Sequence, residues 1–444
     1  MKKLNKILAW MSFVLLFLLV FNILYVNLLP MEYDFIILVC VFLYLCIFGY
    51  FSFKKNKSDI TSVILSILLV VSIFFNISGL IYYYISYNAV NNISSVDYET
   101  VYYSIYGKDE SVNKIGVVEG ISDEVLSFVR NDYNVEIKYY NDYALLVDDY
   151  KDGLISNILM NDSYTSLYDI DKTYLIKTYE IKTYLDLESS VDVLNDTVNI
   201  YLSGIDSNRD VSSRTRSDVN IVMSINVKTK DILLIHIPRD YYVNIPSLGY
   251  DKINHAGVIG LNESILVIEE LLDEKIDYYV KVNFNTIVEL VDSIGGINVH
   301  SDYSFSNIKV GNNYLNGKET LNFVRKRKSL PGGDRQRGKN QQEVISSIIE
   351  KVSSSEVLLV NYLDIVNAIS SLVQTNMSSE DIFAIVNSQL SDMSVYTISN
   401  YNLDGFDTHE YSSLLGFDEW MMIGDEESIK EGRILLDNIN KKGE

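Results

Sequence analysis

The sequence predicts an α/β protein carried on a membrane anchor, with two folded units beyond the anchor. Three observations predict it. Three apolar runs of spanning length crowd the first 87 residues, β-rich runs alternate with amphipathic helical stretches in the rest, and 444 residues exceed one ordinary domain. Hydrophobic residues make up 48% and charged residues 22%, which excludes a disordered or collagen-like chain.

Leu8–Leu29, Phe35–Phe53 and Ile60–Tyr84 are each long enough to cross the roughly 30 Å hydrocarbon core as a helix, and Pro30 stops the first. Three runs in succession, with no small-residue cleavage site after the first, argue against a signal peptide. The alternative is a two-span hairpin with a buried third helix. Lys2, Lys3 and Lys6 precede the first run, and Lys54, Lys55 and Lys57 separate the second from the third. The loop between the first two holds Glu32 and Asp34 and no cation. The positive-inside rule then predicts a multi-pass cell-membrane protein with a cytoplasmic N-terminus and residues 88–444 extracellular.

The net charge is −22, and six lysines against three acids leave +3 up to Tyr87, so the exterior carries −25. So acidic a surface is repelled by phosphate backbones, and no nucleic-acid partner is expected. Cys40 and Cys46 both lie in the second span, which excludes thiol catalysis and cysteine-ligated metals outside. A large exterior without disulfides suits a bacterium that does not fold its exported proteins oxidatively.

The predicted division is 1–87, three transmembrane helices; 88–97, a polar tether marked by Asn91, Asn92, Ser94 and Ser95; 98–190, a small α/β accessory domain; 191–390, the main α/β domain; and 391–444, an acidic C-terminal region of unassigned fold. In the accessory unit, strands are expected at Val101–Tyr106, Lys114–Val118, Val135–Tyr139 and Tyr143–Val147, and a helix at Ser122–Val129 behind an N-cap serine. No catalytic constellation falls there, so it reads as a spacer or docking module. In the main unit, Val198–Ile205, Val219–Asn226, Ile232–Ile237, Tyr278–Phe284 and Ile297–His300 read as strands. Asn262–Leu272, Asn285–Ile294, Gln341–Val352 and Val357–Val373 read as helices, which places a sheet between helical layers.

Four clusters carry chemistry. Asp206 ends one strand and Asp218 starts the next. Adjacent strands can bring them together, and two carboxylates at a rim suit a hard, partly hydrated Mg²⁺, with Mn²⁺ the alternative. The plain reading is two boundary aspartates that hold nothing. Arg239-Asp240 follows a buried-looking strand, at the end where α/β folds place ligands. Lys252-Ile253-Asn254-His255-Ala256 is the third cluster, or simply a charged loop with a capping asparagine. The fourth runs from Arg325-Lys326-Arg327-Lys328 through Gly333-Asp334 and Arg337 to Gln341. Arginine forks bind phosphate oxygens bidentately, and several together neutralise a diphosphate. A solvated charge run is the bland reading. Lipid headgroups are another, but this run lies more than two hundred residues from the last span. An exterior site lacks a nucleotide supply, and no G-x-x-x-x-G-K-[ST] is present, so a lipid-linked phosphate donor is favoured over ATP. Four histidines (His236, His255, His300, His409) without H-E-x-x-H argue against zinc hydrolysis, and no G-x-S-x-G elbow is present.

Read together, residues 198–352 resemble the LytR–CpsA–Psr family of Gram-positive cell-wall enzymes. The resemblance rests on eight short motifs in order: Gly204-Ile-Asp206, Arg216-Ser-Asp218, Pro238-Arg-Asp240, Lys252-Ile-Asn-His-Ala256, Asp277-Tyr-Tyr-Val-Lys-Val-Asn283, Val291-Asp-Ser-Ile-Gly-Gly296, Arg325-x-Arg327 and Gly333-Asp334-x-x-Arg337. Three spans and an extra α/β unit are similar to the capsule-associated CpsA branch. The resemblance implies an α/β/α domain with a central mixed sheet and an apolar tunnel for a polyprenyl chain. It implies transfer of a glycopolymer, capsular polysaccharide first and wall teichoic acid next, from undecaprenyl pyrophosphate to peptidoglycan. Its partners would be the membrane and other capsule-synthesis membrane proteins. Carried over, Asp206 and Asp218 would hold Mg²⁺, and Arg216, Arg239, Arg325, Arg327 and Arg337 would grip the pyrophosphate. Lys252, Asp334 and Gln341 would support that grip. Asp218 and Asp240 are both candidate general bases, beside Arg239 as a catalytic residue. Many members have Arg-Gln where this chain has Asn340-Gln341, and Lys339 or Arg335 is expected to supply the missing charge. The helices Leu266–Leu272 and Ile287–Ile294 are expected to line the tunnel. The rival readings are a non-catalytic polyprenyl-phosphate sensor, a transcriptional regulator and a lipid pyrophosphatase.

Overall fold

The computed structural model describes residues 2–26, 31–54, 59–93, 97–107, 112–185, 187, 189, 191–206, 209–328, 330–370, 372–392 and 394–441. Pro30, Lys55, Lys57, Ser94 and Ser95 lie outside the described residues.

Helices α1 (Lys2–Val26), α2 (Met31–Phe53) and α3 (Asp59–Ile93) are long and apolar enough to cross a membrane. A polar seam joins them. Asn5 donates to the Ser62 carbonyl, Asn76 to the Ser12 carbonyl, and the Ser12, Tyr44 and Ser72 hydroxyls meet. In hydrocarbon these groups have no water to turn to, so they pair between helices. The 35 residues of α3 span about 52 Å at 1.5 Å each, well beyond the hydrocarbon core. The expected tether is therefore largely helix. Ala89, Val90 and Ile93 share one face and bury against Val366 and Phe383, which overrides the polar Asn91 and Asn92.

The accessory unit comprises β1 (Tyr98–Gly107), β2 (Lys114–Val118), α4 (Asp123–Asp132), β3 (Glu136–Tyr140), α5 (Tyr143–Lys151), β4 (Asn157–Asn161), α6 (Asp162–Thr165) and β5 (Leu175–Tyr184). Its sheet runs β3-β2-β4-β1-β5. Ser122 caps α4 as expected. Tyr143–Val147 is helical, not a strand: Asp142 accepts the Leu145 N–H at 2.8 Å, and Leu146, Val147 and Tyr150 bury one face. The apolar stretch 144–147 is too short for its period to distinguish the two.

The main unit begins with β6 (Thr197–Ile205), β7 (Ser217–Asn226), β8 (Asp231–Ile237), β9 (Tyr242–Ile245), β10 (Gly249–Lys252), α7 (Ile253–Ile259) and α8 (Leu261–Leu272). It continues with β11 (Tyr278–Asn283), α9 (Phe284–Ser293), β12 (Ile297–Ser301), β13 (Gly311–Leu315), α10 (Gly317–Arg325), α11 (Asp334–Val352) and α12 (Ser355–Ser370). Then follow β14 (Val373–Thr375), α13 (Ser379–Asp392), β15 (Thr397–Asn402), β16 (Gly405–Tyr411), β17 (Asp418–Gly424) and α14 (Glu426–Lys441). The central sheet is mixed, in the order β14-β11-β6-β7-β8-β15. Alternation along the strands makes two buried faces. Tyr201, Val222, Leu233 and Ile235 pack with α8 and α14, while Leu202, Ile221 and Leu234 face α11.

Residues 391–444 are not a separate acidic region. β15 pairs in parallel with β8 from Thr397–Asp231 to Asn402–His236, and Leu436 and Ile439 of α14 enter the core. Its described acids are exposed or half-buried, and β15 extends the sheet.

Candidate functional site

β7 is antiparallel to both β6 and β8. The ends of β6 and β8 therefore share one edge of the sheet with the start of β7. Asp206 follows β6, Asp218 is the second residue of β7, and Arg239-Asp240 follows β8. Topology alone brings three motifs together.

Arg239 is the hub. Its Nη1 donates to Asp218 Oδ1 at 2.8 Å, and its Nε lies 3.7 Å from both Asp240 Oδ2 and Asp334 Oδ1. Asp334 opens α11 and also meets Arg337 Nη2 at 2.7 Å and Arg327 Nη1 at 3.8 Å. Arg325 closes α10, pairs with Asp206 at 2.6 Å and lies 3.9 Å from the Phe284 ring centroid. Lys252 sits behind, 2.6 Å from Glu419 and 3.8 Å from Asp240.

Burial raises the Asp218 carboxyl, but Arg239, with Arg216 and Arg337 beyond it, outweighs that and holds the group below the usual carboxylate range. Asp218 is thus ionised at neutral pH and suits an acceptor of cations better than a strong base. Asp334 is the opposite case: burial dominates and raises it despite Arg337 and Arg239. Arg239 Nε, Arg337 Nε and Gln341 Oε1 are buried without a hydrogen-bond partner. Such atoms are few in native proteins, and their convergence here marks a place built for a polar ligand.

Two cavities meet at this point. One, of 300 Å³, is walled by apolar side chains between the sheet and helices α9 and α11, including Leu202, Met223, Ile287, Leu290, Val344 and Ile348. The other, of 460 Å³, is lined by Asp206, Asp218, Arg239, Arg325, Lys326, Arg327, Lys328 and Arg337. Phe284, Val324 and Gln341 line both. An apolar cavity thus adjoins a cationic mouth.

The pattern of the LytR_cpsA_psr family matches residues 164–428, more than half of the chain. The chain belongs to that family. Its similar proteins include the polyisoprenyl-teichoic acid–peptidoglycan teichoic acid transferase TagU of Bacillus licheniformis, 36% identical over 205 residues, which make up 45% of this chain and 66% of that protein. TagT of Bacillus subtilis, of the same description, is 35% identical over 228 residues, 48% of this chain and 69% of that protein. The chain therefore spans only about two thirds of the length of these curated relatives. The crystal structure of B. subtilis TagT aligns at 28% identity with a TM-score of 0.45, covering 57% of this chain and 94% of that one.

Within this LytR_cpsA_psr domain, Asp206, Asp218, Arg239, Arg325, Arg327, Arg337 and Gln341 line the mouth. Asp240 and Asp334 stand behind it against the guanidinium groups, and Lys252 stands behind Asp240. Arg216 does not line the mouth: its Nη2 reaches Ser166 Oγ of the accessory unit at 3.4 Å, while its charge still acts on Asp218. Arg335 does not replace the cation absent at Asn340, because it binds Asp404 at 2.8 Å and Asp407 at 3.0 Å on the C-terminal segment. Lys339 also acts on Asp404. Asn340 donates to the Phe323 carbonyl, inside the α10–α11 contact. Leu266–Leu272 does not line the apolar cavity, because α8 covers the opposite face of the sheet. Glu419 and Phe284 escaped sequence reading. Neither has a local signal, since each acts only through a contact made by folding.

Gly338 fixes how α11 meets the sheet. A Cβ there would lie 2.3 Å from His236 Cε1, and that ring is fully enclosed, with burial and Arg337 depressing its pKa to about 3. Gly338→Ala is expected to cost about 1–3 kcal/mol by overpacking. Thermal unfolding checks the effect. An unchanged Tm would show that the ring yields.

Proposed function

We propose that the chain is a membrane-anchored exterior phosphotransferase that moves a glycopolymer from undecaprenyl pyrophosphate to a sugar hydroxyl of peptidoglycan. One observation carries the reading: Phe284, Val324 and Gln341 line both the apolar cavity and the cationic mouth. A ligand filling both is an amphiphile with a long apolar tail and a compact anionic head. Each CH₂ of the tail buried contributes about 0.8 kcal/mol. The descriptions of TagU and TagT support the same class of reaction. Their polymer is teichoic acid, while the added α/β unit and three spans favour capsular polysaccharide here. The positive-inside arrangement of Lys2, Lys3 and Lys6 supports an exterior site.

The acceptor hydroxyl oxygen attacks the sugar-side phosphorus, and the bridging P–O bond breaks. Undecaprenyl phosphate leaves, and the hydroxyl proton passes to a carboxylate of the site. Arg239, Arg325, Arg327 and Arg337 stabilise the charge that grows on the leaving phosphate. Of the two candidate bases, Asp218 lines the mouth and is engaged by Arg239 at 2.8 Å, while Asp240 stands behind it between Arg239 and Lys252.

Asp206 and Asp218 line the same mouth, and each engages its arginine through Oδ1. Among the described residues no group of three His, Cys, Asp or Glu converges. Two carboxylates fit a Mg²⁺ completed by water and phosphate oxygens. A bound Mg²⁺ would supply charge neutralisation at the pyrophosphate.

The test uses the full-length chain in detergent micelles, a lipid-pyrophosphate saccharide and a peptidoglycan oligomer. Equal amounts of coupled polymer and polyprenyl phosphate are expected. Chelation or Asp206→Asn should lower the rate by about 10²-fold, a few kcal/mol of lost charge stabilisation, and weaken Mg²⁺ binding by calorimetry. Phosphate release without coupling would instead favour the pyrophosphatase. Tight lipid binding without product under any divalent cation, with polymer and acceptor varied, would favour the sensor.

A further inference from the structure

A third cavity adjoins the carboxylate pair on its other side. It measures 360 Å³, within the size of small-ligand pockets, about 300–1,000 Å³. Asp206 and Asp218 line both it and the cationic mouth. Its remaining walls come from two units. The accessory unit contributes Tyr102, Ser163, Thr165, Ser166 and Lys172, and the segment 209–216 faces them. Three cavities therefore follow one another: apolar, cationic, then polar, joined first by Gln341 and then by the two aspartates.

The third cavity is built, not left over. The segment 209–216 is laced to the accessory unit through its backbone. Thr100 N–H donates to the Ser212 carbonyl at 2.9 Å, Arg214 N–H returns to the Thr100 carbonyl at 2.9 Å, and Ser163 Oγ donates to the Arg214 carbonyl at 2.6 Å. Arg209 lies 4.0 Å from the Tyr102 ring centroid and pairs with Asp162 at 2.6 Å. Arg209 is matched within this wall, while Arg214, Asp206 and Asp218 are matched from outside it by Glu99, Arg325 and Arg239. What remains for a ligand is a set of hydroxyls, charged groups of both signs and an aromatic edge. Hydroxyls donate and accept alike, so such a surface suits a neutral, many-hydroxyl partner better than a phosphate or an alkyl chain.

We propose that this cavity is a saccharide subsite completed by the accessory unit. The inference rests on the transferase reading, since the order tail, pyrophosphate, sugar follows the covalent order of a lipid-linked glycan. The same chemistry can come from the first sugar of the donor or from the peptidoglycan strand that brings the acceptor hydroxyl. Arg216 stands at the junction, bonded to Ser166 on one side and acting on Asp218 on the other.

The test is binding to the full-length chain in micelles, without any turnover. The probes are a GlcNAc–MurNAc tetrasaccharide for the acceptor, GlcNAc 1-phosphate for the donor sugar, and a polyprenyl pyrophosphate for the mouth. Ser166 and Lys172 are exposed, so Ser166→Trp fills the cavity, and Lys172→Ala trims its rim, without disturbing the core. Ser166→Trp is expected to weaken at least one saccharide about tenfold, equal to about 1.4 kcal/mol, with Lys172→Ala acting in the same direction and polyprenyl-pyrophosphate binding unchanged. The saccharide affected identifies the source. If both saccharides bind both variants as they bind the parent chain, or neither binds the parent chain at millimolar concentration, the subsite is overturned. Loss of polyprenyl-pyrophosphate binding in the parent chain would instead strike the transferase reading, and saccharide binding would still be measurable.

Discussion

Replacing Arg239 with alanine will lower transfer by about 10²–10³-fold, the scale on which one preorganised charge donor acts at a transition state. Arg239 is singled out because, among the described residues, it is the guanidinium within ion-pair range of three carboxylates, Asp218 at 2.8 Å and Asp240 and Asp334 at 3.7 Å. Its removal takes away a positive charge from the mouth and also frees Asp218, Asp240 and Asp334 to repel one another and any incoming pyrophosphate. Lysine at this position restores the charge but not the fork, so Arg239→Lys should recover only part of the rate.

A pH profile separates this role from a purely structural one. In the parent chain Arg239 holds the Asp218 carboxyl below its ordinary value of 3.8 against the opposing effect of burial. Without Arg239, burial is less opposed and the Asp218 pKa rises. If transfer requires ionised Asp218, the acid limb of residual activity must move to higher pH in Arg239→Ala. A folded variant that keeps full turnover, with an unmoved acid limb, would defeat the assignment.

The parts of this site legible in the sequence were those that local chemistry writes. Strand periodicity set the ends of β6, β7 and β8, and those ends carry Asp206, Asp218 and Arg239. The density of cations from Arg325 to Arg337 was visible for the same reason, against an otherwise acidic exterior. Residues that act through distant contacts were not visible. β15 reads Thr-Ile-Ser-Asn-Tyr-Asn, with few apolar positions, and becomes a strand by pairing with β8 more than 150 residues earlier. Arg335 looked like a spare phosphate ligand, because nothing nearby in the chain announces Asp404 and Asp407. α8 shows the limit of periodicity: its amphipathic pattern revealed a buried face but not which side of the sheet it covers.

A buried charge cluster helps join the accessory unit to the main sheet, and breaking it will have the largest effect on stability. Glu99 on β1 is almost fully enclosed, with Lys281 of β11 at 2.9 Å, Arg214 at 3.2 Å and the Leu261 N–H at 3.0 Å. Lys281 is itself buried. Glu99→Ala strands an ammonium in the interior, which costs about 3–5 kcal/mol. Replacing both partners, as Glu99→Leu with Lys281→Met, removes the stranded charge and should recover much of that loss, leaving Arg214 as the remaining debit. Burial raises the Glu99 carboxyl, but Lys281 and Arg214 outweigh it and hold the pKa below its ordinary 4.5. A depressed carboxylate adds stability above its unfolded pKa and loses it as pH falls through the folded one. The parent chain should therefore lose stability below about pH 4.5 more steeply than Glu99→Gln does. Thermal unfolding of the full-length chain across that range, with protease cutting in the segment 209–216 as a local readout, checks both. A single variant within about 1 kcal/mol of the parent would mean that the backbone pairing of Thr100 with Ser212 and Arg214 is enough to hold the units together.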